Sequence, residues 1–212
     1  MTQALGGAVM IVALALGADL EAQARTPPTA PRFTGTSFVL VHYDAGASLA
    51  VYGAKRLGPG MALVGIVGNP GTAYRAIIVG GGTRLRLGAH AGVTAFLAGQ
   101  DASSGASLRM YVLPEAAIGR VTVSATGALR QPFDGGGRRE ASVDPVTVAL
   151  RISDVLKVGV AGVVSVAERH AVDWGVGPSV AARVLGGFVS LEIVVRARGE
   201  HPELRGEFSA AL

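Results

Sequence analysis

Seven basic residues have the type and spacing to hold or steer an anion: Arg56, Arg84, Arg86, Arg120, Arg151, Lys157 and Arg183. Each stands next to a short connection rich in Gly, Pro, Ala or Asp. Converging guanidinium and ammonium groups favour anions wherever they ring a passage. The plainer alternative has them bonded to backbone carbonyls and to turn acids such as Glu115 and Asp154, inside a filled interior. Two other pairs could do proton chemistry, His42 with Asp44 and His170 with Asp173. A hydrolase also needs a nucleophile within hydrogen-bond reach of its base. No serine stands in a recognisable motif near either histidine, and G-x-S-x-G does not occur, so a rim hydrolase is the weaker reading and a non-enzyme is expected. The glycine triplets at 80–82 and 135–137 neither match a phosphate loop nor open a helix. Gly80–Gly82 is expected to permit a bulge or kink in a curved strand, and Gly135–Gly137 to form a loop tip. With no cysteine and four scattered histidines, disulfides and thiolate chemistry are excluded, and neither a metal site nor a cofactor is expected.

The elements that must position these residues are extended. In "GGFVSLEIVVRARGE", residues 186–200, Val189, Leu191, Ile193, Val195 and Ala197 alternate with Phe188, Ser190, Glu192, Val194, Arg196 and Arg198. This period of two marks a strand with one apolar face. It recurs at 119–130, 145–152, 157–167 and 173–184. In all, strands are expected near 36–44, 47–56, 60–68, 73–86, 89–99, 106–114, 119–130, 145–152, 157–167, 173–184, 187–198 and 203–212. Tight connections at 57–60, 87–89, 115–119, 153–157 and 185–187 alternate with longer ones at 69–73, 100–107, 134–144 and 168–173. A strand with its share of turn therefore takes ~15 residues, longer than the ~8–12 of soluble sandwiches.

The two faces differ in kind. The polar face is mostly Gly, Ala, Ser and Thr with sparse Arg, whereas a water-facing sheet surface normally carries long Lys and Glu side chains. Charged residues make up only 16% of the chain, and all but Lys55 and Lys157 of its 19 basic residues are Arg. Twelve strands with the apolar face inward would enclose a space too wide to fill, since about eight strands is the size that packs shut. The apolar face therefore points to lipid, with the backbone satisfied by ring closure. Glu192 becomes the only acid placed mid-strand on the inner face, and the natural partner for the arginines around it.

Over residues 36–212 the chain resembles bacterial outer-membrane β-barrels as a class. The last segment, "LRGEFSAAL", in which Leu204, Gly206, Phe208, Ala210 and Leu212 alternate with polar neighbours, looks like the terminal signal read by the barrel-assembly machinery, although it ends in Leu where the class usually ends in Phe or Trp. The resemblance implies an all-β, closed, antiparallel up-and-down transmembrane barrel of about 12 strands, with 10 or 8 as alternatives, in contact with membrane lipid. Aromatic residues are 5% of the chain, so interfacial girdles are expected to be thin.

Residues 1–24 read as a signal peptide, with an apolar stretch at 4–17 and a small-x-small site at Ala22-Gln23-Ala24. Residues 25–35 read as a Pro-rich lead-in. The expected location is an outer membrane, and the expected role a small passive pore with a basic, anion-favouring lumen, or a structural membrane protein. A soluble periplasmic barrel or sandwich that binds a ligand is the rival from another class. Nucleic acid is not an expected partner, because no basic cluster exceeds Arg138-Arg139 and no stacking aromatic lies beside one.

Overall fold

In the computed structural model the described residues are 37–44, 48–69, 73–134, 139–167, 172–197 and 202–211. The expected signal peptide and lead-in lie outside them, as do Gly135–Gly137 and His170. The strands are β1 (Ser37–Asp44), β2 (Ser48–Leu57), β3 (Gly60–Gly68), β4 (Arg75–Arg86), β5 (Ala91–Ala102) and β6 (Ser107–Ile118). They continue with β7 (Val121–Pro132), β8 (Glu140–Arg151), β9 (Leu156–Ala167), β10 (Asp173–Val184), β11 (Gly187–Arg196) and β12 (Glu203–Ala211). Each pairs antiparallel with its sequence neighbours, and β1 pairs with β12 from Phe38↔Ala211 to Asp44↔Arg205, closing the barrel. Closure leaves no sheet edge, which is what a strand structure needs where water cannot satisfy its backbone.

Side chains sort by parity. On β9, Val160 is 51% exposed and Ala161 0%. On β11, Leu191, Ile193 and Val195 are exposed, while Glu192 and Val194 are buried. The same outward apolar band runs through Ile77 and Val79 on β4, Val121 and Val123 on β7, and Val148 and Leu150 on β8. Tyr52, Phe96, Tyr111 and Phe188 share the inward parity.

Tight turns gather at one end. Leu185 and Gly186, at φ 50° and 79°, make the two-residue β10–β11 connection, a geometry in which both central residues take positive φ. The segment 115–118, expected to be turn, belongs to β6, and the turn falls at Gly119-Arg120. β5 likewise extends through Gln100-Asp101-Ala102, expected to be loop. β8 starts at Glu140 rather than 145, with a bulge between Val143 and Val146. The extra residue there puts Val143 and Val146, of opposite parity, on the same outer face.

No bulge occurs at Gly80–Gly82, where pairing to β3 and β5 runs without a register shift. These glycines provide clearance instead. A Cβ on Gly80 would strike the Leu97 carbonyl and Ala98, and one on Gly82 the Ala95 carbonyl and the Phe96 ring. Gly82→Val is therefore expected to lower stability by about 1–3 kcal/mol, the usual penalty of overpacking, read as a lower urea midpoint for unfolding in detergent micelles.

Candidate functional site

The inner surface divides into three regions. On β2–β6, Ala54, Leu63, Ile78, Phe96, Ala98 and Tyr111 form a buried cluster, with Tyr52, Met61, Val67, Leu113 and Ala128 packed against it. The Tyr52 and Tyr111 rings meet edge to face at 6.2 Å between centroids. Their strands are four places apart around the ring, and neighbouring strands are ~4.8 Å apart, so this contact is made through the lumen. Ile78 in this lobe is 1% exposed.

On β8–β12 the loop-side half is ionic. Arg205, 2% exposed, pairs with Asp144 across the lumen and with Glu203 at 2.8 Å. Arg196 donates to Glu203 at 2.5 Å and to Asp173 at 2.7 Å. Asp144 reaches this network because the β8 bulge lies at its position. Glu192 lies directly opposite Arg205, but Arg196 is committed to Asp173 and Glu203. Glu192 is thus one of several inward acids rather than the only one: Glu115, Asp144, Glu203 and Glu207 share the inner face. Among the described residues of this region acids outnumber bases, so the described lumen is not uniformly basic.

The seven predicted basic residues lie toward the tight-turn end. Arg84 pairs with Glu115. The Arg56 Nε donates to the Gly58 carbonyl at 2.9 Å. Arg151 and Lys157 are direct cross-strand partners, a placement of like charges that destabilises unless something offsets it. The Lys157 ammonium lies 4.4 Å from the centroid of the Phe188 ring, a cation–π contact that accounts for an aromatic on the inner face. Arg183 is the partner of Phe188. Arg86, Arg120 and Arg183 are exposed. Among the described residues, bases at this end outnumber Glu115 and Asp154.

Between the lobes, Leu113, Glu115, Thr126, Ala128 and Thr147 are half-exposed, and Ser124 is exposed in mid-strand. Ser124 is the direct partner of both Glu115 and Thr147. The inner wall along β6–β8 is therefore less fully covered than the regions on either side of it.

Of the two histidine–aspartate pairs, only the backbone placement of the first on β1 and the Asp173 side chain fall within the described residues. His42 and Asp44 are on β1, in register with Glu207 and Arg205. The Asp173 carboxylate is engaged by Arg196, and His170 lies outside the described residues. Sequence reasoning missed Asp144, Arg196, Glu203 and Arg205 as a unit. The inward parity of Arg205 was readable, but its partner lies 61 positions away and faces inward through a bulge.

No protein-family model and no curated protein sequence matches the chain. Among solved structures it is similar to the KdgM porin, with TM-score 0.59 and 8% identity over 83% of this chain and 98% of that chain. It is similar to the KdgM porin in complex with disordered oligogalacturonate, with TM-score 0.60 and 8% identity over 83% and 99% of the two chains. The NanC porin matches with TM-score 0.53 and 10% identity over 82% and 97%. The chain has the fold of bacterial outer-membrane β-barrel porins.

Proposed function

We propose that this chain is a passive outer-membrane pore for small solutes, with an anion preference set at its tight-turn mouth. The observation that carries the reading is a closed barrel, apolar outside, whose inner wall is less fully covered along β6–β8 than on either side and whose described bases outnumber acids toward the tight turns. The outward band of Val, Leu and Ile suits acyl chains and would drive association of a soluble periplasmic module. In the usual orientation of such barrels the tight turns face the periplasm, and β12 presents the strand for the assembly machinery. One structural neighbour was captured with oligogalacturonate, whose sugar units carry carboxylates; small carboxylates fit the basic mouth here by the same charge logic. The packing of Ile78, Phe96 and Ala98 in mid-lumen favours a second reading, a plugged structural barrel.

Planar-bilayer recording across a KCl gradient separates the two. The wild-type chain is expected to conduct with an anion-favouring reversal potential, and the Arg120/Arg151/Arg183→Ala variant to lose that preference. A barrel that shows heat-modifiable migration but no conductance would overturn the pore in favour of the plug.

A further inference from the structure

The outer face is not an even apolar wall. On its loop-side half, two adjoining hollows of about 310 and 460 Å³ share Met110, Leu129, Ala141 and Val166. The register gives their cause. Gly127 lies between Val112 and Val143 on the neighbouring strands, and Ala141, one row nearer the loops, lies between Leu129 and Val166. These two short residues floor an oblique groove that passes between Leu129 and Val143. At its loop end the second hollow is lined by Gln131 and Arg139, both exposed, while the adjacent Glu140 is 3.7 Å from Arg130.

From Gly127 to Gln131 the groove covers four residues, roughly 13 Å at the rise of a strand, or about half of the ~25 Å apolar band of such a barrel. Its length is that of one leaflet. Loops face the cell exterior in the usual orientation, which places the groove in the outer leaflet and Arg139 at headgroup level. Apolar walls ending at a guanidinium fit an acyl chain whose headgroup carries a phosphate, because the guanidinium fork matches phosphate oxygens two at a time.

We propose that this groove is a binding site for a phosphate-bearing lipid of the outer leaflet, with one acyl chain lying over Gly127 and Ala141 and the phosphate received by Arg139. The site needs only the lipid-facing exterior, so it stands or falls separately from the pore.

Trp174, the one tryptophan of the chain, reads the site, since it is 51% exposed on the outer face and is the direct partner of Val164 in the groove wall. The full chain is reconstituted in phosphatidylcholine vesicles carrying the same small fraction of either brominated phosphatidic acid or brominated phosphatidylcholine, and bromine quenching of Trp174 is compared. Phosphatidic acid is expected to quench as though enriched about fivefold beside Trp174, the ratio that one arginine gives on a charged headgroup. Arg139→Gln is expected to bring that ratio close to one. Gly127→Leu has room for its Cβ beside Val112 and fills the floor with the rest of its side chain, so it is expected to do the same in a barrel that keeps its heat-modifiable migration. Ala141→Leu fills the same floor from β8 and serves if Gly127→Leu fails to fold. Equal quenching by the two lipids in the wild type would overturn the proposal. A ratio lost in Arg139→Gln but kept in both leucine variants would reduce the site to surface charge and overturn the groove. Weak quenching by either lipid, with a dimer in detergent, would give this face to a second copy of the chain and overturn the lipid.

Discussion

Arg205→Ala is expected to lower the stability of the barrel by about 3 kcal/mol, at the low end of what removing one partner from a buried ion pair produces. The reason lies in what remains. Asp144 and Glu203 would face each other across the lumen, with Glu192 directly opposite the vacated position. Both carboxylates are about a third exposed, so water entering the lumen relieves part of the repulsion, which keeps the loss at the low end. The same water widens the conducting path, and a larger single-channel conductance is expected alongside a lower urea midpoint. Arg205→Lys should recover only part of the stability, because an ammonium cannot reproduce a guanidinium that serves two carboxylates at once. Adding Asp144→Ala to Arg205→Ala should recover stability relative to the single variant, a coupling that a double-mutant cycle reads directly.

Val160→Arg carries the second large effect. Val160 stands mid-strand on β9, 51% exposed on the outer face, between Val148 and Pro178 on its neighbours. A cationic side chain at the lipid midplane of a barrel is destabilising by about 2–4 kcal/mol, and folding into vesicles should fail or become reversible at low urea. The matched control is Thr126→Arg, mid-strand on β7 but on the inner face beside Asp144. Its effect should stay within about 0.5 kcal/mol, as for substitutions at hydrated positions. If the two exchange places, the faces have been assigned the wrong way round.

The strands were legible where alternation was uninterrupted. On β9, β10 and β11 a reader needs only the period of two, and β10 begins and ends where the pattern places it. Polarity misled at Gln100-Asp101-Ala102 and at Glu115-Ala116-Ala117, because inner-wall polar residues look like loop residues when the inside of the barrel is itself polar. Gln100 is inward and 2% exposed, donating to the Tyr74 hydroxyl at 2.9 Å and accepting from Arg109. The first part of β8 was hidden by its bulge, which reverses parity between Val143 and Val146.

Of the candidate site, the placement of the seven basic residues toward the tight turns could be read from parity and turn position alone. Its like-charged Arg151–Lys157 pair required the register. The Arg205–Asp144 pair and the Tyr52–Tyr111 contact were illegible for a different reason: both join strands four places apart across the lumen, and no spacing along the chain encodes a chord. Phe188, the aromatic out of place on the polar face, was the one local hint of that interior, and it is explained by Lys157 above it.

The central claim is that the band of exposed Val, Leu and Ile side chains is the outside of the barrel and that the charged parity, as on β9 to β12, faces the lumen. The chain has no cysteine, so single cysteines from 157 to 166 on β9 can be spin-labelled one at a time in vesicle-embedded protein. Collision with lipid-dissolved oxygen should peak at 158, 160, 162, 164 and 166 and fall at the positions between. Strong collision of that even-numbered set with a water-soluble nickel complex, with no oxygen alternation, would contradict the account.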